Sequence, residues 1–137
     1  MTASVDPNTD PSAAIDMRNA IDVVEEAYEF MLAYAAQGRK HEAEDESISR
    51  IRQYLIRFGD ALDDMAKVAP VILATDAGKP FGERFLADIA VTRSVIALLM
   101  ERPSITSDMV DNTNGLIAVR ALLTDLFFID QAVLPAR

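Results

Sequence analysis

Asp22, Glu25 and Glu29 stand three and four residues apart, a spacing that sets three carboxylates on one flank of a helix. Hard oxygen donors so arranged suit magnesium, which can orient a phosphate and activate water. The competing reading is a solvated acidic flank. Asp125 and Asp130 sit within the apolar run from Gly115 to Leu134, and Arg93 interrupts an otherwise apolar stretch. A lone buried carboxylate is costly, so each aspartate is expected to find a cation or a hydrogen bond, with Arg93 and Arg120 as candidate partners. A second use of Arg93 and Asp125 is to grip a small molecule in a pocket between the third and fourth helices. His41, after Arg39 and Lys40, reads as an exposed loop histidine. Gly78-Lys79-Pro80 is too short for a phosphate loop and reads as a turn. The chain has no cysteine and one histidine, which excludes disulfides, thiolate metal sites, thiol nucleophiles and sites built from several histidines.

The segment Glu25-Glu26-Ala27-Tyr28-Glu29 resembles the EExxE element of the MazG-like nucleoside triphosphate pyrophosphohydrolases. The likeness covers those five residues. It implies an all-helical, oligomeric enzyme in which carboxylates on adjacent helices hold magnesium for attack on a triphosphate, with Asp22, Glu25 and Glu29 as ligands. The second element of that family, ExxD on the next helix, is not present as such. Asp60-Ala61-Leu62-Asp63 is the nearest segment and departs at its first position. On a helical wheel Asp60 lies almost opposite the Phe58–Leu62 face, toward solvent rather than toward the first helix. Outside this alternative, no cofactor is implied.

The elements that would position these groups are helices. Met17, Ile21, Val24, Tyr28, Met31 and Ala35 recur at alternating steps of four and three, which marks one helical face. Asp10-Pro11 is a helix start, and Gly38 is placed to end the helix near Gln37 in a left-handed conformation. Ile48, Ile51, Leu55, Phe58, Leu62, Met65 and Ala69 repeat the pattern. That second helix is expected to open on Glu42, Glu44, Asp45 and Glu46, carboxylates that suit the positive end of its dipole. Glu46 with Arg50 and Asp63 with Lys67 are supporting pairs four apart, and Pro70 is expected to end the helix. Turn chemistry follows in Thr75 to Pro80. A third helix runs from about Phe81 to Arg102. A fourth, with Ser104, Thr106 and Ser107 as candidate caps, runs to about Val133, with a kink or later start expected at Asn112-Thr113-Asn114-Gly115. Helices of similar length joined by short links favour antiparallel neighbours. The expected architecture is an all-α, antiparallel four-helix bundle over residues 11–137, preceded by a disordered lead of residues 1–10.

There is more apolar helix surface than such a bundle needs. The first helix carries a second stripe, Val23, Ala27, Phe30 and Tyr34. The last has Ile117, Ala121 and Phe128 beside its main face of Val119, Leu122, Leu126, Ile129 and Val133. Ile56 points away from the core face of the second. Such stripes mean either a thick core or a docking surface. On the second reading Val23, Phe30, Tyr34, Ile56, Ile117 and Phe128 are interface residues and a homodimer is the simplest assembly.

Charge narrows the partners. Twenty-two acidic residues against thirteen basic ones leave a formal charge of −9, which repels phosphate backbones and anionic membranes. No local basic patch offsets it, so neither nucleic acid nor membrane is expected as a partner. Arg120, Asp125 and Asp130 break the most apolar stretch, and the first residues lack the pattern of a secretory signal. These features point to a cytoplasmic, non-enzymatic protein-interaction module, an adaptor, regulator or assembly factor. The magnesium-dependent hydrolase and the small-molecule binder are the alternatives.

Overall fold

The computed structural model describes residues 11–44 and 47–136. The lead of residues 1–10, the Asp10 cap and the Glu46–Arg50 pair fall outside them. Among the described residues there is no strand. Five helices follow one another: α1 (Pro11–Ala36), α2 (Arg50–Ile72), α3 (Gly78–Met100), α4 (Ser107–Gly115) and α5 (Ile117–Phe128), with a π-helical turn over Ile129–Val133. The expected fourth helix is thus two. Thr113, Asn114 and Gly115 are weak helix formers, and Leu116 adopts an extended conformation between the pieces (φ −64°, ψ 134°). Gly38 ends α1 with φ 65°, a left-handed conformation that glycine adopts without steric cost.

The second helix begins later than the carboxylate run suggested. Its cap is Ser49, whose hydroxyl accepts from the Arg52 amide, so Glu42 and Glu44 lie in the preceding link and Ile48 is exposed. Nor does Pro70 end it. α2 continues past it to Ile72 before Leu73 closes on the Ala69 carbonyl at 2.9 Å. Asp63 pairs with Arg93 of α3 at 3.2 Å, an ion pair between helices where one within the helix, to Lys67, was expected.

α1 packs against α2 and α4, α2 against α3, and α3 against α5. Phe30 stacks on Tyr54 while Arg57 reaches back to Glu26, so α1 and α2 run in opposite directions. The contacts of Arg93 with Gly59 and of Arg52 with Met100 do the same for α2 and α3. The core between them is filled by Met17, Ile21, Met31, Ile51, Leu55, Phe58, Leu62, Met65, Phe85, Ile105, Leu122 and Ile129, all fully buried. Each such side chain stabilises by about 1.5–3 kcal/mol relative to exposure. The second stripe of α1 belongs to this interior. Ala27 and Tyr34 are buried and Val23 and Phe30 half-buried against the core.

Two polar clamps tie the ends together. Glu42 accepts from the Arg52 guanidinium at 2.7 Å, the Ser49 hydroxyl at 2.7 Å and the Ile105 amide at 2.6 Å. Arg52 also donates to the Met100 and Arg102 carbonyls. One carboxylate thus joins the α1–α2 link to the α3–α4 link. At the opposite end Arg18 of α1 bonds Asp130 at 3.3 Å and also the Pro135 carbonyl.

Candidate functional site

α3 and α5 meet along a seam that combines a buried carboxylate oxygen without a partner among the described residues with exposed apolar side chains. Asp88 lies on the inner side of α3, 6% exposed. Arg84, one turn earlier, holds it at 3.1 Å, and Thr92 caps the Asp88 carbonyl at 2.8 Å. Asp125 faces Asp88 from α5. Its Oδ2 is buried and accepts from no donor among the described residues. Burial, followed by the hydrogen bond with Asp88 and the charge of Asp88, raises the Asp125 carboxyl from 3.8 to about 7, against the opposing pull of Arg84. Two ionised carboxylates have no donor between them, so one proton shared by the pair satisfies both.

This partner differs from those expected for Asp125. Arg93 lies on the other side of α3, where it donates to the Gly59 carbonyl at 2.8 Å and pairs with Asp63. A side chain at position 59 would press on Arg93, since an added Cβ would lie 3.2 Å from its Nη1. Arg93 and Asp125 therefore do not line one pocket. Asp130 finds a cation, but in Arg18 rather than Arg93 or Arg120. Asp88 went unnoticed in the sequence because an Arg84–Asp88 spacing of four reads as an ordinary surface pair.

Around the seam the outer surface is apolar. On α5, Ile117 is 84%, Phe127 62% and Phe128 52% exposed. Phe128 meets Phe81 of α3 edge-on at 5.2 Å. Along α3, Leu86, Ala87, Ala90, Val91, Ser94, Ala97 and Leu98 are all exposed. Between Glu83 and Glu101 the cations of this helix are Arg84 and Arg93, each turned into an ion pair. Over that span the exposed charges of α3 are thus these two paired arginines, which flank the apolar stripe. Alanines and a serine hid this stripe in the sequence, because small residues fit a buried or an exposed face equally well.

The other interface candidates are distributed differently. Tyr34 offers no surface: it is 4% exposed and donates to the Ile105 carbonyl at 2.6 Å. Phe30 is half-buried in a ladder in which Arg50 covers its ring at 5.4 Å and Tyr54 stacks at 4.3 Å. Val23 borders an open groove of about 600 Å³ between α1 and α2, shared with Asp16, Asn19, Arg57, Asp60 and Asp64. Ile56 is exposed on α2.

Asp22, Glu25 and Glu29 lie on the exposed flank of α1. Asp60 is exposed and lines the open groove beside Asp16 and Asn19 rather than beside that trio. Among the described residues no three His, Cys, Asp or Glu side chains converge to hold a metal, and no helix is long and apolar enough to cross a membrane. Comparison with known proteins returned no match to a family, to a curated protein or to a solved structure.

Proposed function

We propose that this protein acts by protein contact, as a homodimer joined through the outward faces of α3 and α5, and serves as an adaptor, regulator or assembly factor rather than as an enzyme. The observation that carries the reading is the exposure of large apolar side chains on α3 and α5, namely Ile117, Phe127, Phe128, Leu98 and Val91. Together they expose roughly 500 Å² of apolar area, an amount that as one patch would mark a functional surface. Packed by a second copy, Ile117 and Phe128 would be the anchors, since large apolar side chains at the centre of an interface carry most of its energy.

Charge supports a second copy as the occupant. Two chains of −9 repel each other, so they associate best where neither presents net charge. The outward side of α3, where Arg84 and Arg93 are each paired, comes nearest to that requirement, and the adjoining face of α5 adds the exposed cation Arg120. The reading takes the five helices as an antiparallel four-helix bundle whose last member is broken at Leu116, a rigid platform for such a face. It places the protein in the cytoplasm, with neither nucleic acid nor membrane as partner. Sedimentation of the wild type and of Phe128→Asp and Ile117→Asp tests it. The expected result is a dimer that each substitution converts to monomer with helical content retained. A wild type that stays monomeric at high micromolar concentration overturns it.

A further inference from the structure

We infer that the Asp88–Asp125 pair is a proton-operated latch, which seats α5 on α3 while one proton is shared and loosens that contact when the proton leaves. The geometry carries the argument. Asp88 is buried on α3, Asp125 meets it from α5, which packs on α3, and the buried Oδ2 of Asp125 has no hydrogen-bond partner among the described residues. Without the proton, two negative charges face each other across a helix–helix contact in which Asp88 is buried and Asp125 partly buried. α5 is well placed to respond. It is twelve residues long, separated from α4 by the extended Leu116, and ends in a π-helical turn.

The surrounding charges do not replace the proton. Asp88 and Arg84 bear on Asp125 from α3, and Arg84 is already committed to Asp88. On α5 itself Arg120 is exposed. Beyond the helix Asp130 is held by Arg18 of α1. On α4, Asp108 and Asp111 are exposed, and on α2 Asp63 is engaged by Arg93. The elevated value of about 7 puts the transition within reach of ordinary cellular pH. The inference stands independently of dimer formation, although the latch lies beneath the face assigned to it.

The test is amide hydrogen exchange of the full chain at pH 5 and pH 8, corrected for intrinsic rates, with melting measured alongside. In Asp125→Asn the amide donates where the proton did, so the variant is locked in the latched state. The wild type is expected to lose protection within α5 at pH 8 by roughly tenfold more than α1 and α2 lose through the lower global stability. Its melting midpoint should fall between those pH values by about 4 °C more than that of Asp125→Asn. A variant that retains the full wild-type dependence, or a loss of protection spread evenly over all five helices, overturns the latch.

Discussion

Replacing Glu42 by glutamine should cost this protein more stability than any other single change on its surface links. Burial by itself would raise the Glu42 carboxyl, but the bonds from Arg52, Ser49 and the Ile105 amide outweigh it and hold the group below its ordinary 4.5. Glutamine keeps the volume and removes the charge. Its amide nitrogen then faces the donors of Arg52, and either the Ser49 hydroxyl or the Ile105 amide loses its acceptor. Breaking a fully buried pair costs about 3–5 kcal/mol. Here the two side chains remain 19% and 12% exposed, and Arg52 keeps its carbonyl partners, so the expected loss is about 2–3 kcal/mol. At a few degrees per kcal/mol for a domain of this size, the melting midpoint drops by roughly 8 °C. Urea denaturation at pH 7 reads the difference directly through the transition midpoint. The contribution is present above the unfolded value near 4.5 and disappears as pH falls through the lower folded value, so wild type and variant should converge in acid. A difference under 0.5 kcal/mol at pH 7, or one that persists unchanged at pH 3, refutes the assignment of Glu42 as the clamp between the two links.

Asp125 gives the opposite pH dependence. Between 3.8 and about 7 only the folded chain holds its proton, so the stability due to this group is lost as pH rises through that window. Full linkage would be about 4 kcal/mol, which solvent at the partly exposed carboxyl reduces to roughly 2 kcal/mol. Asp125→Asn should therefore be about 2 kcal/mol more stable than wild type at pH 8, as read by chemical denaturation. Tyr34→Phe removes the donor to the buried Ile105 carbonyl and should cost about 1–2 kcal/mol with no change in association. Gly59→Ala gains helix propensity but presses on Arg93, so it should be near neutral alone. In an Arg93→Ala background it should stabilise by about 0.5–1 kcal/mol, a coupling that a double-mutant cycle measures.

The helices were legible because burial enforces periodicity. Met17, Ile21, Val24, Leu55, Phe58 and Leu62 recur at helical spacing and are buried. The break of the last helix was visible in the composition of Thr113 to Gly115. The start of α2 was misread because carboxylates favour a helix N-terminus in general, whereas Glu42 is used by a tertiary clamp whose Ile105 partner lies 63 residues away. A hydroxyl cap at Ser49 was the better local signal. For the site, the oddity of Asp125 inside an apolar run was plain, but its partner was not. Pairing depends on which faces of α3 and α5 meet, and a helical wheel shows only one helix at a time. The same limit explains the stripe of α1. Of Val23, Ala27, Phe30 and Tyr34, Phe30 stacks on Tyr54 of α2 and Tyr34 bonds Ile105 beyond α3, partners that the first helix alone does not reveal.

The proposed dimer joins two copies of the chain through the outward faces of α3 and α5. Sedimentation equilibrium of the wild type over a concentration series, beside Ile117→Asp, tests it most directly. The account requires a wild-type mass of twice 15.0 kDa and a monomeric variant that melts cooperatively. A wild type at 15.0 kDa throughout, or an Ile117→Asp variant that remains fully dimeric, contradicts it.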